Sequence, residues 1–332
     1  MPWVPEMSEV SDFHELSPDL VLNLVEETLG ERCTNICRPL TSYINRVYEV
    51  ALDAGPHVVI KFYRPNRWSV DAIQDEHDFV LDLADHEVPV IPPILDDEGF
   101  SLHHHGDLNF AIFERKGGRT FEDPDEELWG ELGRLLARMH TIGEKADPHD
   151  RVIWSPEEAT AGHVERILAS GQIGDRRLRD QYERATETLI ELLTPAFDDR
   201  EMVRIHGDCH ANNIIYRPGE RFYLIDFDDM AVGPPIQDLW MLLPGYRAEV
   251  QQELDWFLNG YETFREFDYP SLKLIEPLRA MRFIHFSAWC VHQVNDGGYN
   301  RLDPDFATDA YWAREIRDLE SQLERIRQEL EA

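Results

Sequence analysis

Two short apolar runs around a tight turn constrain this chain more than any other feature. Asn213-Ile214-Ile215-Tyr216 and Phe222-Tyr223-Leu224-Ile225 flank a turn at Pro218-Gly219, a pattern that predicts a β-hairpin. Antiparallel pairing sets the start of one strand beside the end of the other. Asn213 and Asp226 must then be neighbours, and Asp208 sits in the loop just before them, within Ile205-His206-Gly207-Asp208-Cys209-His210. Two carboxylates and a carboxamide meeting at one point are hard oxygen donors of the kind Mg²⁺ takes. Phosphoryl transfer needs such a set, with one Asp to accept a hydroxyl proton and an Asn and an Asp to hold metal ions on a triphosphate.

The rest of the chain frames this hairpin. Residues 15–30 read as a helix with Leu20, Leu24 and Val25 as its stripe and Gly30 as its stop. Strand-like runs follow at Tyr43–Leu52, Val58–Tyr63 and Asn109–Phe113, the first two joined by the turn Asp53-Ala54-Gly55-Pro56. A helix is expected from about Val70 to Ala84 with Ser69 as N-cap. After Gly117-Gly118 the pattern turns helical: 125–140, 161–168, 177–193, 248–264, 272–294 and 310–330, with the hairpin as the one interruption. The expected division is a β-rich nucleotide-binding lobe over 1–113, a connector near 113–118, and a mainly helical catalytic lobe over 114–332.

A second constellation lies in the first part. Lys61 stands inside the apolar run Val58-Val59-Ile60-Lys61-Phe62-Tyr63, a costly place for an unpaired ammonium. On the next helix Ile73, Glu76, Val80 and Leu83 share one stripe, so Glu76 points inward and also needs a partner. A Lys61–Glu76 pair satisfies both, as in kinases where such a pair orients the lysine on the α- and β-phosphates. The alternatives are an edge-strand lysine facing solvent, and Asp75 or Asp78 in place of Glu76.

Composition excludes some classes. Among 332 residues, 32 Lys and Arg face 65 Asp and Glu, a formal charge of −33. Such a chain repels nucleic-acid backbones and anionic lipids, so neither nucleic acid nor membrane is an expected partner. No run approaches the ~18 apolar residues of a membrane span, no secretory signal is visible, and a cytoplasmic location is expected. Four cysteines are too few for a disulfide scaffold, and Cys33 with Cys37 makes at most half a metal site. His206, Cys209 and His210 are too close together to suit one zinc ion. His103-His104-His105 lies just before a strand and is not a convincing metal site.

His206-x-Asp208-x4-Asn213 followed by Asp226 resembles the catalytic and metal-binding motifs of the protein-kinase-like fold, in its aminoglycoside phosphotransferase/choline kinase branch. Within that branch several segments are similar to bacterial stress-response Ser/Thr protein kinases. They are 40–48, 61–65, 75–77, 87–90, 206–210, Gln237-Asp238-Leu239-Trp240-Met241-Leu242 and Ile275-Glu276-Pro277-Leu278-Arg279-Ala280-Met281-Arg282. The resemblance spans about 12–315 and implies an α+β, bilobal kinase-like fold. It implies Asp208 as catalytic base, Asn213 and Asp226 as Mg²⁺ ligands, and Ser42, in the turn between the first strands, as an ATP contact. Phe113-Glu114-Arg115-Lys116 would offer backbone groups to the adenine. The chain has no G-x-G-x-x-G, so closure over the phosphates differs from the classical kinase mode.

The expected activity is transfer of the ATP γ-phosphoryl group to a hydroxyl, with Mg²⁺ as cofactor, by a monomer. The acceptor is a Ser/Thr protein; a small hydroxyl substrate such as an aminoglycoside, choline or homoserine is the alternative, and a signalling pseudoenzyme a third reading. Other roles stay open. Asp208 could cap its loop, His206 is expected to brace rather than transfer protons, and Asp228 and Asp229 either tune the metal or cap the next segment. Asp238 is expected to anchor the catalytic loop. The run Ile316, Leu319, Leu323, Ile326, Leu330 is read as a packed helix.

Overall fold

A computed structural model describes residues 13, 16–146, 148–220, 222–297 and 303–331. The chain divides into two units, Met1–Phe121 with Pro148–Asp150 and Asn212–Asp228, and Glu122–Asp147 with Arg151–Ala211 and Asp229–Ala332.

The first unit is built on a five-stranded antiparallel sheet of order β1-β2-β3-β5-β4. Its strands are β1 (Cys33–Leu40), β2 (Arg46–Leu52), β3 (His57–Phe62), β4 (His103–His105) and β5 (Leu108–Glu114). One face packs on α1 (Pro18–Leu29), where Val21, Leu24 and Val25 join Val50, Val58, Ile60, Phe62, Phe110 and Ile112 in one apolar cluster. Each such side chain taken out of water contributes ~1.5–3 kcal/mol. Helix α2 (Val70–Asp85) starts as the sequence predicts: Ser69 Oγ accepts from Ala72 N at 3.0 Å. The hairpin also stands, as β7 (Ile214–Tyr216) and β8 (Phe222–Leu224), with Ile214 opposite Leu224. It joins the rest of this unit through backbone bonds from Leu224 N to Pro89 O and from Tyr216 N to Arg119 O.

The second unit is helical: α3 (Glu126–Gly143), α4 (Ala161–Ala169), α5 (Arg176–Phe197), α6 (Ile236–Trp240), α7 (Gln251–Tyr261), α8 (Ile275–Gly297) and α9 (Asp309–Glu331). Helices α3 and α7 meet along glycines. A Cβ on Gly133 would lie 2.1 Å from Phe257 O, and one on Gly260 would lie 2.1 Å from Gly130 O. Ile316, Leu319, Leu323 and Ile326 of α9 are buried, as a packed helix requires.

Several expectations need correction. Residues 33–40 were not expected as a strand, yet β1 pairs with β2 across a register shift between Cys33 and Cys37. His103-His104-His105 does lie just before a strand, β5, and is in addition the edge strand β4 itself. The hairpin is not the only interruption of the helical part, because β6 (Val203–Ile205) pairs with β9 (Ala231–Gly233). These pieces are three residues long or heavily polar, so periodicity does not reveal them. The helix expected from 272 starts at Ile275, after a 3-10 turn over Tyr269–Leu274. Among the described residues no helix is long and apolar enough to cross a membrane.

Candidate functional site

In the β-rich unit the chemistry gathers on Lys61. It is the fifth residue of β3, opposite Val47 of β2 and Ala111 of β5, and it is buried. Glu76 is buried on α2, and its Oε1 lies 3.5 Å from Lys61 Nζ and 3.5 Å from Tyr63 Oη. The neighbouring acids are occupied elsewhere. Asp75 accepts from His149 N and Asp150 N, and Asp78 accepts from Gln74 Nε2.

Glu76 is not the closest partner of Lys61. The ammonium bonds directly to Oδ1 of Asp228, with Asp226 Oδ1 at 3.3 Å. Asp228 is buried and receives two more donors, Asn45 Nδ2 and, at 3.0 Å, Arg67 Nη1. Asn45 in turn accepts from Arg64 N at 3.0 Å, which fixes the turn between β1 and β2. Ser42 sits in that turn, half-buried. Burial works to deprotonate Lys61, but Asp228, Glu76, Tyr63 and Asp226 outweigh it and hold the ammonium well above its ordinary range.

Asp226 follows β8 in the left-handed region, φ 62, and its side chain is about half exposed. Ile225 N donates to Asn213 O at 3.0 Å, so the hairpin end brings Asn213 and Asp226 together as pairing requires. Phe227 packs edge-on against Phe79 of α2, ring centres 5.8 Å apart, which ties the Asp226–Asp228 segment to the helix that carries Glu76. Asn213 and Asp226 offer two hard oxygens beside the Lys61 cluster. That suits Mg²⁺, which takes one or two protein oxygens and completes its shell with water and phosphate. Among the described residues no group of three or more His, Cys, Asp or Glu that could hold a metal ion is found. Cys33 and Cys37 are free thiols.

In the helical unit the chemistry gathers on Asp208. Its loop leaves β6 and is fixed from α6. Asp238 accepts from His206 N at 2.8 Å and from Gly207 N at 2.9 Å, while Gln237 Nε2 donates to Gly207 O at 3.0 Å. Asp238 is itself held by His140 Nε2 of α3 at 3.1 Å, and His140 Nδ1 meets Tyr261 Oη at 3.0 Å. Gly207 has φ +82, and a Cβ there would stand 2.0 Å from Asp229 O, so only glycine fits. His206 braces as expected, its Nδ1 accepting from Asp208 N at 3.4 Å.

The Asp208 carboxylate meets Arg282 Nη2 of α8 at 2.7 Å and His210 Nε2 at 3.5 Å. Burial, seconded by Asp229, raises its carboxyl above the ordinary range; Arg282, His210 and His206 pull the other way. Sequence reasoning anticipated the anchor at Asp238. It read Asp228 as tuning a metal or capping a segment rather than as the partner of Lys61, and it missed Asn45, Arg67, His140 and Arg282, whose partners lie far along the chain. The sole local trace was that most of them fall within or beside segments carrying the resemblance.

A mixed sheet-and-helix fold with a buried Lys61–Glu76 pair, an Asn213/Asp226 hairpin and a His-Gly-Asp loop defines a kinase-like phosphotransferase. Residues 36–275 match the phosphotransferase enzyme family, and the chain belongs to that family and is an ATP-dependent phosphotransferase. It is 37% identical over 307 residues to stress response kinase A of Escherichia coli O157:H7, covering 91% of each chain. It is 36% identical, with the same coverage, to serine/threonine protein kinase RdoA of Salmonella typhimurium strain LT2. Among solved structures it is similar to amicoumacin kinase hAmiN in complex with AMP-PNP, Ca²⁺ and Ami, with TM-score 0.71, 20% identity, and 92% and 93% of the two chains covered. A microcompartment-associated aminopropanol kinase gives TM-score 0.70 at 18% identity, with 93% and 98% covered. These two share the fold, the protein-kinase-like fold of the aminoglycoside phosphotransferase/choline kinase branch.

Proposed function

We propose that this chain is a Ser/Thr protein kinase of the stress-response type, moving the ATP γ-phosphoryl group to a protein hydroxyl with Mg²⁺. The observation that carries the acceptor class is the likeness to stress response kinase A along 91% of both chains. Asp208 takes the hydroxyl proton as general base, worth ~10²–10⁴ in rate. Asn213 and Asp226 hold the metal, which when bound neutralises charge on the transferring phosphoryl group. Lys61 binds the α- and β-phosphates, oriented by Glu76, and Ser42 contacts the nucleotide from its turn. The net charge of −33 favours a second reading, in which the acceptor is a cationic small molecule.

The test incubates the purified chain with γ-labelled ATP and Mg²⁺, alone and with a generic protein substrate, beside Asp208→Ala. Label on protein Ser or Thr that disappears in the variant, with the variant's melting temperature preserved, is the expected result. ATP consumption only when a cationic amino alcohol or aminoglycoside is added would transfer the assignment to the second reading. Undiminished labelling by Asp208→Ala would remove Asp208 as the base.

A further inference from the structure

The start of α8, Ile275–Arg282, holds a Glu and two Arg that the reaction above leaves without a role. Two of them anchor the helix. Buried Glu276 accepts from Arg279 Nε at 3.2 Å and from Gln322 Nε2 of α9 at 2.5 Å. Arg279 lies over Trp240 and Tyr246, 5.0 Å from each ring centre, and donates to Gly245 O at 3.0 Å. Arg282 stands one turn further on the same face. Its Nη2 reaches Asp208 Oδ1 at 2.7 Å, with the two side chains 25% and 17% exposed.

We propose that Arg282 is a positioning residue for the proton acceptor, pairing with Oδ1 of Asp208 and holding that carboxylate ionised and oriented for the acceptor hydroxyl. The inference rests on the reading of Asp208 as general base. A guanidinium suits the task because it keeps its charge at any working pH, and one arm of its planar fork, Nη2, meets the carboxylate as an ion pair at Oδ1. The anchored Glu276–Arg279 turn keeps Arg282 from following solvent.

The groups facing Asp208 sort by element. Arg282 comes from α8, Asp229 from the 3-10 turn Phe227–Asp229, and His206 and His210 from the base's own loop. From α4, His163 lies within reach of Arg282 and Asp229; burial, with Arg166 and Arg282, takes it down to about 4, so it is neutral at neutral pH. Burial and Asp229 favour a protonated, inactive Asp208, and Arg282 is the largest charge opposing them.

Arg282→Gln and Arg282→Lys test this in the full-length chain. The Asp208 carboxyl is titrated by ¹³C NMR with its resonance identified by loss in Asp208→Asn. ATP·Mg²⁺ affinity is measured by calorimetry, and turnover across pH by phosphate release with water as acceptor. In Arg282→Gln the Asp208 midpoint should rise by about one pH unit. The turnover number should fall about 10–100-fold with the acidic limb moved to higher pH, while KM for ATP stays within about twofold. Arg282→Lys should restore the midpoint yet recover only part of the rate, since an ammonium supplies charge without the fork. An unmoved midpoint in Arg282→Gln would overturn the inference, as would equal rate losses in both variants with an unchanged pH profile. Should wild-type protein bind no ATP, the kinase reading fails and the inference with it, whereas ATP binding with an unmoved midpoint overturns the inference alone. If Arg282→Gln does not fold, Arg282→Lys decides: full wild-type turnover would reject the need for the fork.

Discussion

In the β-rich unit Lys61 is held by side chains, with Asp228, Asp226 and Glu76 around one ammonium and Asn45 and Arg67 steadying Asp228. In the helical unit the Asp208 loop is held by its backbone, through two N–H groups and one carbonyl fastened to Asp238 and Gln237. Three carboxylates against two cations form a cluster of side-chain ion pairs whose partners can exchange. Backbone bonds to a fully buried carboxylate have no such substitute. The Lys61 cluster is held by side-chain pairs alone, whereas the Asp208 loop is fixed through its backbone.

The largest way to break that contrast is Asp238→Ala. It orphans two buried N–H groups and the His140 ring nitrogen, and at ~1–3 kcal/mol per orphan the expected loss is about 3–5 kcal/mol. Denaturant titration measures it, and a loss under about 1 kcal/mol would mean the loop is not held as described. Next comes Asp228→Asn against Glu76→Gln. ATP affinity should fall about tenfold (~1.4 kcal/mol) for the first and about threefold for the second. Calorimetry that gives the reverse order would restore the helix glutamate as the principal partner of Lys61.

A further effect concerns pH in the helical unit. His163 is depressed to about 4, chiefly by burial, with Arg166 and Arg282 adding. Its unfolded-state value near 6.5 is higher, so the unfolded chain takes the proton first and stability drops as pH falls from about 6.5 to about 4. His163→Gln should flatten that drop by about 1–3 kcal/mol. A pH–stability curve identical to wild type in this window would contradict the burial of the imidazole.

What the sequence disclosed and what it concealed follow a physical line. Ser69, the Glu76 stripe and the Asn213/Asp226 hairpin end were legible because capping, helical period and antiparallel pairing act over a few residues. Strand β1 was not, since Thr34, Asn35, Arg38 and Pro39 break any alternation and the strand lies at the sheet edge. Asp228 with Lys61, 167 residues apart, and Arg282 with Asp208 leave no local pattern. Their charges could be read, but not which partner each would meet. The resemblance to a family supplied residue roles that spacing alone leaves open.

The glycine seam between α3 and α7 has a consequence for how this enzyme can change. The same two helices carry His140 and Tyr261, whose hydrogen bond leads to Asp238 and so to the Asp208 loop. A single methyl at Gly133 or Gly260 must wedge the two backbones apart, and the wedge acts on the rods that bear the His140–Tyr261 link. Variation at this seam therefore reaches the Asp208 loop through the His140–Tyr261 link as well as the packing of the two helices.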